Sequence, residues 1–309
     1  MSGPTVPTRE ALRSALEVCI GGGSQARLPV DERGAFRGHA FFGAALAGPP
    51  GRLHGGLHAY ARVVSVLQAL RGPEALTRAF PLELDMRLER ALPLETPLTF
   101  EGMYTDTAGA FTLRTRFSDT PKLDAHARSA APLPDDAAAP FRAAFERCQS
   151  EPSRTLSIRG SFPVTAHRSA CYLDLDEEFL AIPGNELSSA LCPDGTVDAA
   201  FTCIALDWLG AIGMGVVWQA KLYTTRMALH LDVDVLPRNV PLRVMVDCTR
   251  PEIDPEEALS PVMLRGEPAT ATSLPVALLS KDLSRAYATG RVTLLPVAGQ
   301  TERLGTQGR

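Results

Sequence analysis

The stretch GPPGRLHGGLHAYARVV, Gly48–Val64, decides how the rest of the chain is read. It passes from a Pro- and Gly-rich turn into a helical run, Leu57–Leu70, that is apolar on most of its circumference. Such a helix must be wrapped by other structure rather than lie on a surface. Gly55 and Gly56 fall in its first turn, where each costs about 1 kcal/mol relative to alanine, so something is expected to approach the backbone closely there. Unpaired N–H groups and the positive end of the helix dipole converge at such a start, which is what a carbonyl oxygen needs as it becomes an oxyanion. A tight turn with packing glycines is the purely structural alternative.

Downstream, Phe80–Leu92, Leu98–Tyr104, Ala110–Phe117 and Lys122–Ala131 are β-like runs bounded by Pro, Gly and Asp turns. One long helix followed by an antiparallel sheet is an α+β arrangement. Residues 132–153 are Pro-, Ala- and Asp-rich with a short helical stretch, Phe141–Cys148, and read as a linker. The plan then repeats: a strand near Ala170–Leu175, a long apolar helix near Val197–Val217, strands near Tyr223–Leu236 and Leu242–Cys248, an irregular insertion at Thr249–Ser273 and a hairpin around Val276–Leu295. Leu113–Pro134 lies over Pro275–Pro296 without a gap, matching Ser118 to Ser280. The expected organisation is an N-terminal repeat with a leading helix (1–131), the linker, a C-terminal repeat (154–297) and a flexible tail (298–309). The leading helix is Thr8–Cys19, ended by Gly21-Gly22-Gly23, a run that lacks the Gly-Lys-Ser/Thr ending of a phosphate loop.

Composition narrows the function classes. A chain of 309 residues has room for two domains. No run of about 18 uncharged apolar residues suggests a membrane span. A net charge of −4, with both signs mixed throughout, offers no broad basic surface for nucleic acid. The start MSGPTVPTREALRSALEVC has Pro, Arg and Glu where a signal peptide would be apolar, so a cytoplasmic protein is expected. Six widely spaced cysteines without a CxxC pair argue against a zinc ribbon or a disulfide framework. His54 and His58 are four apart, but HGGLH lacks the glutamate of HExxH, so no metal is expected. There is no GxSxG elbow, and no cofactor is expected.

The HGG at a loop-to-helix junction, preceded by GPPG, resembles the motif of hotdog-fold acyl-CoA thioesterases. The whole plan resembles their double-hotdog, thioesterase II type: two hotdog repeats in tandem, each a long central helix wrapped by an antiparallel sheet. The resemblance implies hydrolysis of acyl thioesters, with acyl-CoA or an acyl carrier protein as substrate partner and a homo-oligomer compatible with the fold. In that family a carboxylate sits nine residues after the motif histidine. Here that position is Val63 in the first repeat, whereas in TVDAAFTCIALDWLG the residue nine after Asp198 is Asp207.

A lone carboxylate among Cys203, Ile204, Leu206, Trp208, Leu209 and Ile212 is costly to bury ionised and needs a partner or a job. The expectation is one composite site: Gly55 and Gly56 polarise the thioester carbonyl, His54 holds the loop or the thioester, and Asp207 activates water or attacks directly. A structural pairing of Asp207 with Arg62 is the alternative. Thr224 and Thr225 stand near a family Thr on the strand after the helix, and Arg62, with Arg37 and Arg52, is a candidate for substrate phosphates. The family's last-strand Gln falls at about Val292. The reciprocal start, Asp198-Ala199-Ala200 facing Val63, is expected to be inactive. A non-catalytic acyl-CoA-binding or scaffold hotdog protein is the competing function.

Overall fold

The structure is a computed structural model that describes residues 28–42, 55–71, 77–88, 92–107, 110–117, 120–158, 162–175, 197–218, 222–236, 240–253, 262–264, 267–269 and 271–296. The leading helix, Arg52, His54 and the tail 298–309 lie outside them.

Strand β1 (Ala35–Ala40) precedes the first helix, which runs as α1 (Gly55–Ala59), a π-helical stretch (Tyr60–Val64) and α2 (Ser65–Arg71). Strands β2 (Leu82–Arg87), β3 (Leu98–Thr107), β4 (Ala110–Phe117) and β5 (Thr120–Ser129) follow. Helix α3 (Ala139–Cys148), with a proline in its first turn, leads to β6 (Arg154–Ile158), β7 (Phe162–Ala166) and β8 (Ala170–Leu175). After β9 (Val197–Asp198) comes α4 (Ala199–Trp218), and then β10 (Leu222–Leu231), β11 (Val235–Leu236), β12 (Leu242–Asp247) and β13 (Glu252–Ile253). The chain closes with β14 (Val262–Leu264), β15 (Glu267–Ala269), β16 (Thr272–Ser280) and β17 (Ala286–Pro296).

One large antiparallel sheet runs β1-β3-β4-β5-β2-β10-β17-β16-β12-β8-β7-β6, with β13 on β16. Strands β2 and β10 join the two halves, with Met86 opposite Met227 and Leu84 opposite Leu229. Outward from that seam the order is β2, β5, β4, β3, β1 on one side and β10, β17, β16, β12, β8 on the other. The fold is α+β. Strand β4 shows why one face is inward: Phe111, Leu113, Thr115 and Phe117 are buried, while Thr112, Arg114 and Arg116 alternate outward. The twenty-residue α4 is apolar almost all round because it lies against β10, β12, β16 and β17 on one side and against α1 on another. One apolar core includes residues of both helices and both halves of the sheet. Strands β12 and β16 are buried on both faces, since Phe141, Ala144 and Cys148 of α3 cover Met245, Ala277 and Leu279 from outside.

Two details differ from the sequence expectation. Strands β6 and β7 extend the sheet beyond Ala170–Leu175 at a point where no strand was expected. The gapless hairpin correspondence also does not hold across the turn. Thr112 faces Arg128, yet Leu274 faces Val292 rather than Gly290. The slip is two residues, which keeps every side chain on its face.

Candidate functional site

The start of α1 meets the middle of α4. A Cβ added at Gly56 would lie 2.5 Å from Ile204 Cα and 2.6 Å from the Cys203 carbonyl oxygen, so only glycine lets the two helices come this close. The same closeness brings the Gly55 Cα face against the Asp207 carboxylate, where an added Cβ would sit 2.7 Å from Oδ2. The close approach expected at these glycines is therefore made by the other helix. The Gly56 N–H donates to Asp207 Oδ2 at 3.0 Å, and Thr224 Oγ1 donates to Asp207 Oδ1 at 2.5 Å.

Asp207 is 5 % exposed. Burial pushes its carboxyl up to about 6, against the downward pull of the hydrogen bonds from Thr224 and Gly56. A carboxylate near that value is ionised at neutral pH and still basic enough to take a proton. The same burial raises the neighbouring Cys203 thiol, leaving it protonated.

Thr224 reaches Asp207 because β10 carries a bulge between Thr224 and Arg226. The extra residue re-aims the chain, as bulges do. Thr225 then turns away, donating from Oγ1 to the Thr293 carbonyl, while its own carbonyl accepts from Leu88 N–H. A sequence with two adjacent threonines gives no sign of which one faces the helix.

Arg62 does not pair with Asp207. Its guanidinium donates to the carbonyl oxygens of Arg87 and Thr115 instead. Val63 is fully buried in the core. Val292, at the expected Gln position, is also buried and packs against Gly210, three residues along α4 from Asp207. At the start of α4, Asp198 Oδ1 accepts the Phe201 N–H at 2.8 Å, a side-chain N-cap. The two helix starts thus differ in kind: one opens on glycines and a borrowed carboxylate, the other is closed by its own aspartate. Among the described residues no group of three His, Cys, Asp or Glu is placed to hold a metal ion, and no helix is long and apolar enough to cross a membrane.

No protein-family model and no curated protein sequence matches the chain. Solved structures do. A candidate thioesterase II from Thermobifida fusca is 15% identical over 96% of this chain and 100% of its own, with a TM-score of 0.54. A candidate thioesterase from Novosphingobium aromaticivorans is 16% identical over 87% and 98%, with a TM-score of 0.50. The dehydratase domain of the polyketide PpsC from Mycobacterium tuberculosis is 11% identical over 89% and 98%, with a TM-score of 0.52. The same domain in complex with C12:1-CoA aligns with a TM-score of 0.51. At these identities the likeness is one of fold, and by that likeness the chain has the hotdog fold of thioesterase II-type and dehydratase structures.

Proposed function

We propose that the chain is a tandem double hotdog that hydrolyses acyl thioesters at one composite site between its halves. The matching strand orders on the two sides of the β2–β10 seam, each with a helix packed on its inner face, support the two repeats. The observation that carries the chemistry is the Gly56–Asp207 hydrogen bond across the two helices, with Thr224 on the second oxygen.

Asp207 acts as general base. It takes a proton from water, the resulting hydroxide attacks the thioester carbonyl carbon, and the carbon–sulfur bond breaks. The proton then passes to the departing thiolate, leaving a free thiol and an acid. Because Gly56 N–H already serves Asp207, the oxyanion donor falls to Gly55, the first residue of α1, whose N–H has no acceptor within the helix. Gly56 and Thr224 hold the carboxylate and keep it ionised at neutral pH. Direct attack by Asp207 through an anhydride differs in outcome: a single turnover in oxygen-labelled water would then place label in the enzyme carboxylate.

Acyl-CoA or an acyl carrier protein is the substrate this site would take, and the C12:1-CoA complex of the PpsC dehydratase domain shows a protein of this fold holding an acyl-CoA. The test is thiol release over short, medium, long and aromatic acyl-CoAs. Turnover with at least one is expected. Measurable acyl-CoA binding with no thiol released from any of them would instead make the chain a non-catalytic acyl-binding hotdog.

A further inference from the structure

Arg62 is a buried cation on the first helix. It sits in the π-helical stretch Tyr60–Val64, a local widening of the helix of a kind common at functional sites. It is 2 % exposed. Its guanidinium spans strand β5, reaching the Arg87 carbonyl on β2 at 3.2 Å and the Thr115 carbonyl on β4 at 3.4 Å. Room for it comes from Ala125, the small residue that faces Met86 on one side and Thr115 on the other. Neither contact is a carboxylate, both are long, and Nε has no hydrogen-bond partner.

The surroundings are mostly apolar. Phe42, Val66, Phe100 and Phe117, with Thr115 and Arg116, line a small void beside the guanidinium, and the Phe117 ring centre lies 5.5 Å from it. The void has a volume of about 10 Å³, room for about one water. Asp124 is the acidic group that acts on Arg62; its Oδ2 pairs with Arg114, and its buried Oδ1, like Arg62 Nε, has no hydrogen-bond partner. Burial lowers the guanidinium to about 9, with Asp124 opposing, so it is still a cation at neutral pH. Leucine or methionine would fill the position without a buried charge, and the helix neighbours Val63, Val66 and Leu67 are all apolar and buried. A cation held in a core with a donor unused is set up for an anion that arrives from outside.

We propose that Arg62 is a specificity determinant that receives the terminal carboxylate of a dicarboxylic acyl group whose thioester lies at Gly55 and Asp207. The assignment of substrate class rests on the thioesterase reading above. Arg62 is six residues beyond Gly56 on the same helix, under about 9 Å along its axis because the π-helical stretch rises less per residue than an α-helix. An acyl chain lying along α1 from the helix start therefore brings its far end to the guanidinium, with the Phe117 ring giving way to admit it.

The test uses the whole chain and non-hydrolysable CoA thioethers, so that binding is read without turnover. Two series of matched chain length are compared by calorimetry, one ending in a carboxylate and one in a methyl group. The wild type is expected to bind the carboxylate series about tenfold more tightly at the best length. Arg62→Met should lose that preference, and Arg62→Lys should keep part of it. Equal binding of the two series by the wild type, binding of neither, or a preference that survives Arg62→Met overturns the proposal. The comparison on the wild type stands even if a variant folds poorly. Carboxylate preference without thiol release from the corresponding thioesters would sink the hydrolase reading and leave the anion site intact.

Discussion

The amide of Gly56, at the first turn of one helix, donates to Asp207 Oδ2 in the middle of another, 3.0 Å away and 151 residues along the chain. A helix start normally satisfies its orphan amides with a nearby side chain, as Asp198 does for α4. Here the acceptor is a carboxylate supplied by the second half of the sequence, which places a basic oxygen beside a set of convergent backbone donors.

Activity should follow the ionisation of that carboxylate. Desolvation raises it from 3.8 to about 6, so kcat/KM for thioester hydrolysis is expected to rise with pH through about 6 and level off above it. The sign for stability is opposite. The folded state holds this proton more tightly than the unfolded chain, so the group's stabilising contribution is full below 3.8 and lost as pH rises through about 6. Chemical denaturation of wild type and Asp207→Asn across this window should show the two alike near pH 3.8, and the variant more stable at neutral pH by on the order of 3 kcal/mol at most.

Thr224→Val should move the activity profile. It removes the donor to Asp207 Oδ1, one of the two contacts that pull the carboxyl down. The rising limb is expected at higher pH, with lower activity at neutrality and a stability loss of about 1 kcal/mol. Thr224→Ser keeps a hydroxyl and should keep the profile. Thr225→Val leaves Asp207 untouched, and a profile identical to wild type is expected.

The two glycines should separate stability from activity. Gly56→Ala puts a methyl group against the backbone of Cys203 and Ile204, which cannot swing aside. The overpacking cost, about 1–3 kcal/mol, exceeds the gain of about 1 kcal/mol in helix propensity, so thermal unfolding should show a less stable protein. Gly55→Ala meets the Asp207 carboxylate, which can rotate, and it should lose activity with a smaller change in melting temperature.

Much of this was legible in the sequence, for identifiable reasons. Asp207 stands out because it is the only charged residue in a twenty-residue apolar helix. The glycines signalled a close approach through their cost to the helix, but not its source, since nothing local tells Gly56 that Ile204 and Asp207 will face it. The choice between Thr224 and Thr225 depends on a bulge, a property of pairing with β17 and not of either residue. Strands β6 and β7 were missed because Pro163 breaks the β pattern of a short segment. Proline is tolerated there because β8 pairs only Thr165 and Ala166 of β7, which leaves Pro163 with β6 as its one ladder neighbour. The buried position of Arg62 was hidden for a related reason: room for a guanidinium is made by Ala125 on a strand more than sixty residues away.

The most direct measurement is kcat/KM of Asp207→Asn on the best acyl thioester, at a pH above 6 where the wild-type carboxyl is ionised. Asparagine can keep contacts to Gly56 and Thr224 but cannot take a proton from water. Loss of about a hundredfold to ten-thousandfold, with cooperative unfolding retained, is the expected result. Wild-type activity in a folded Asp207→Asn protein would contradict the account.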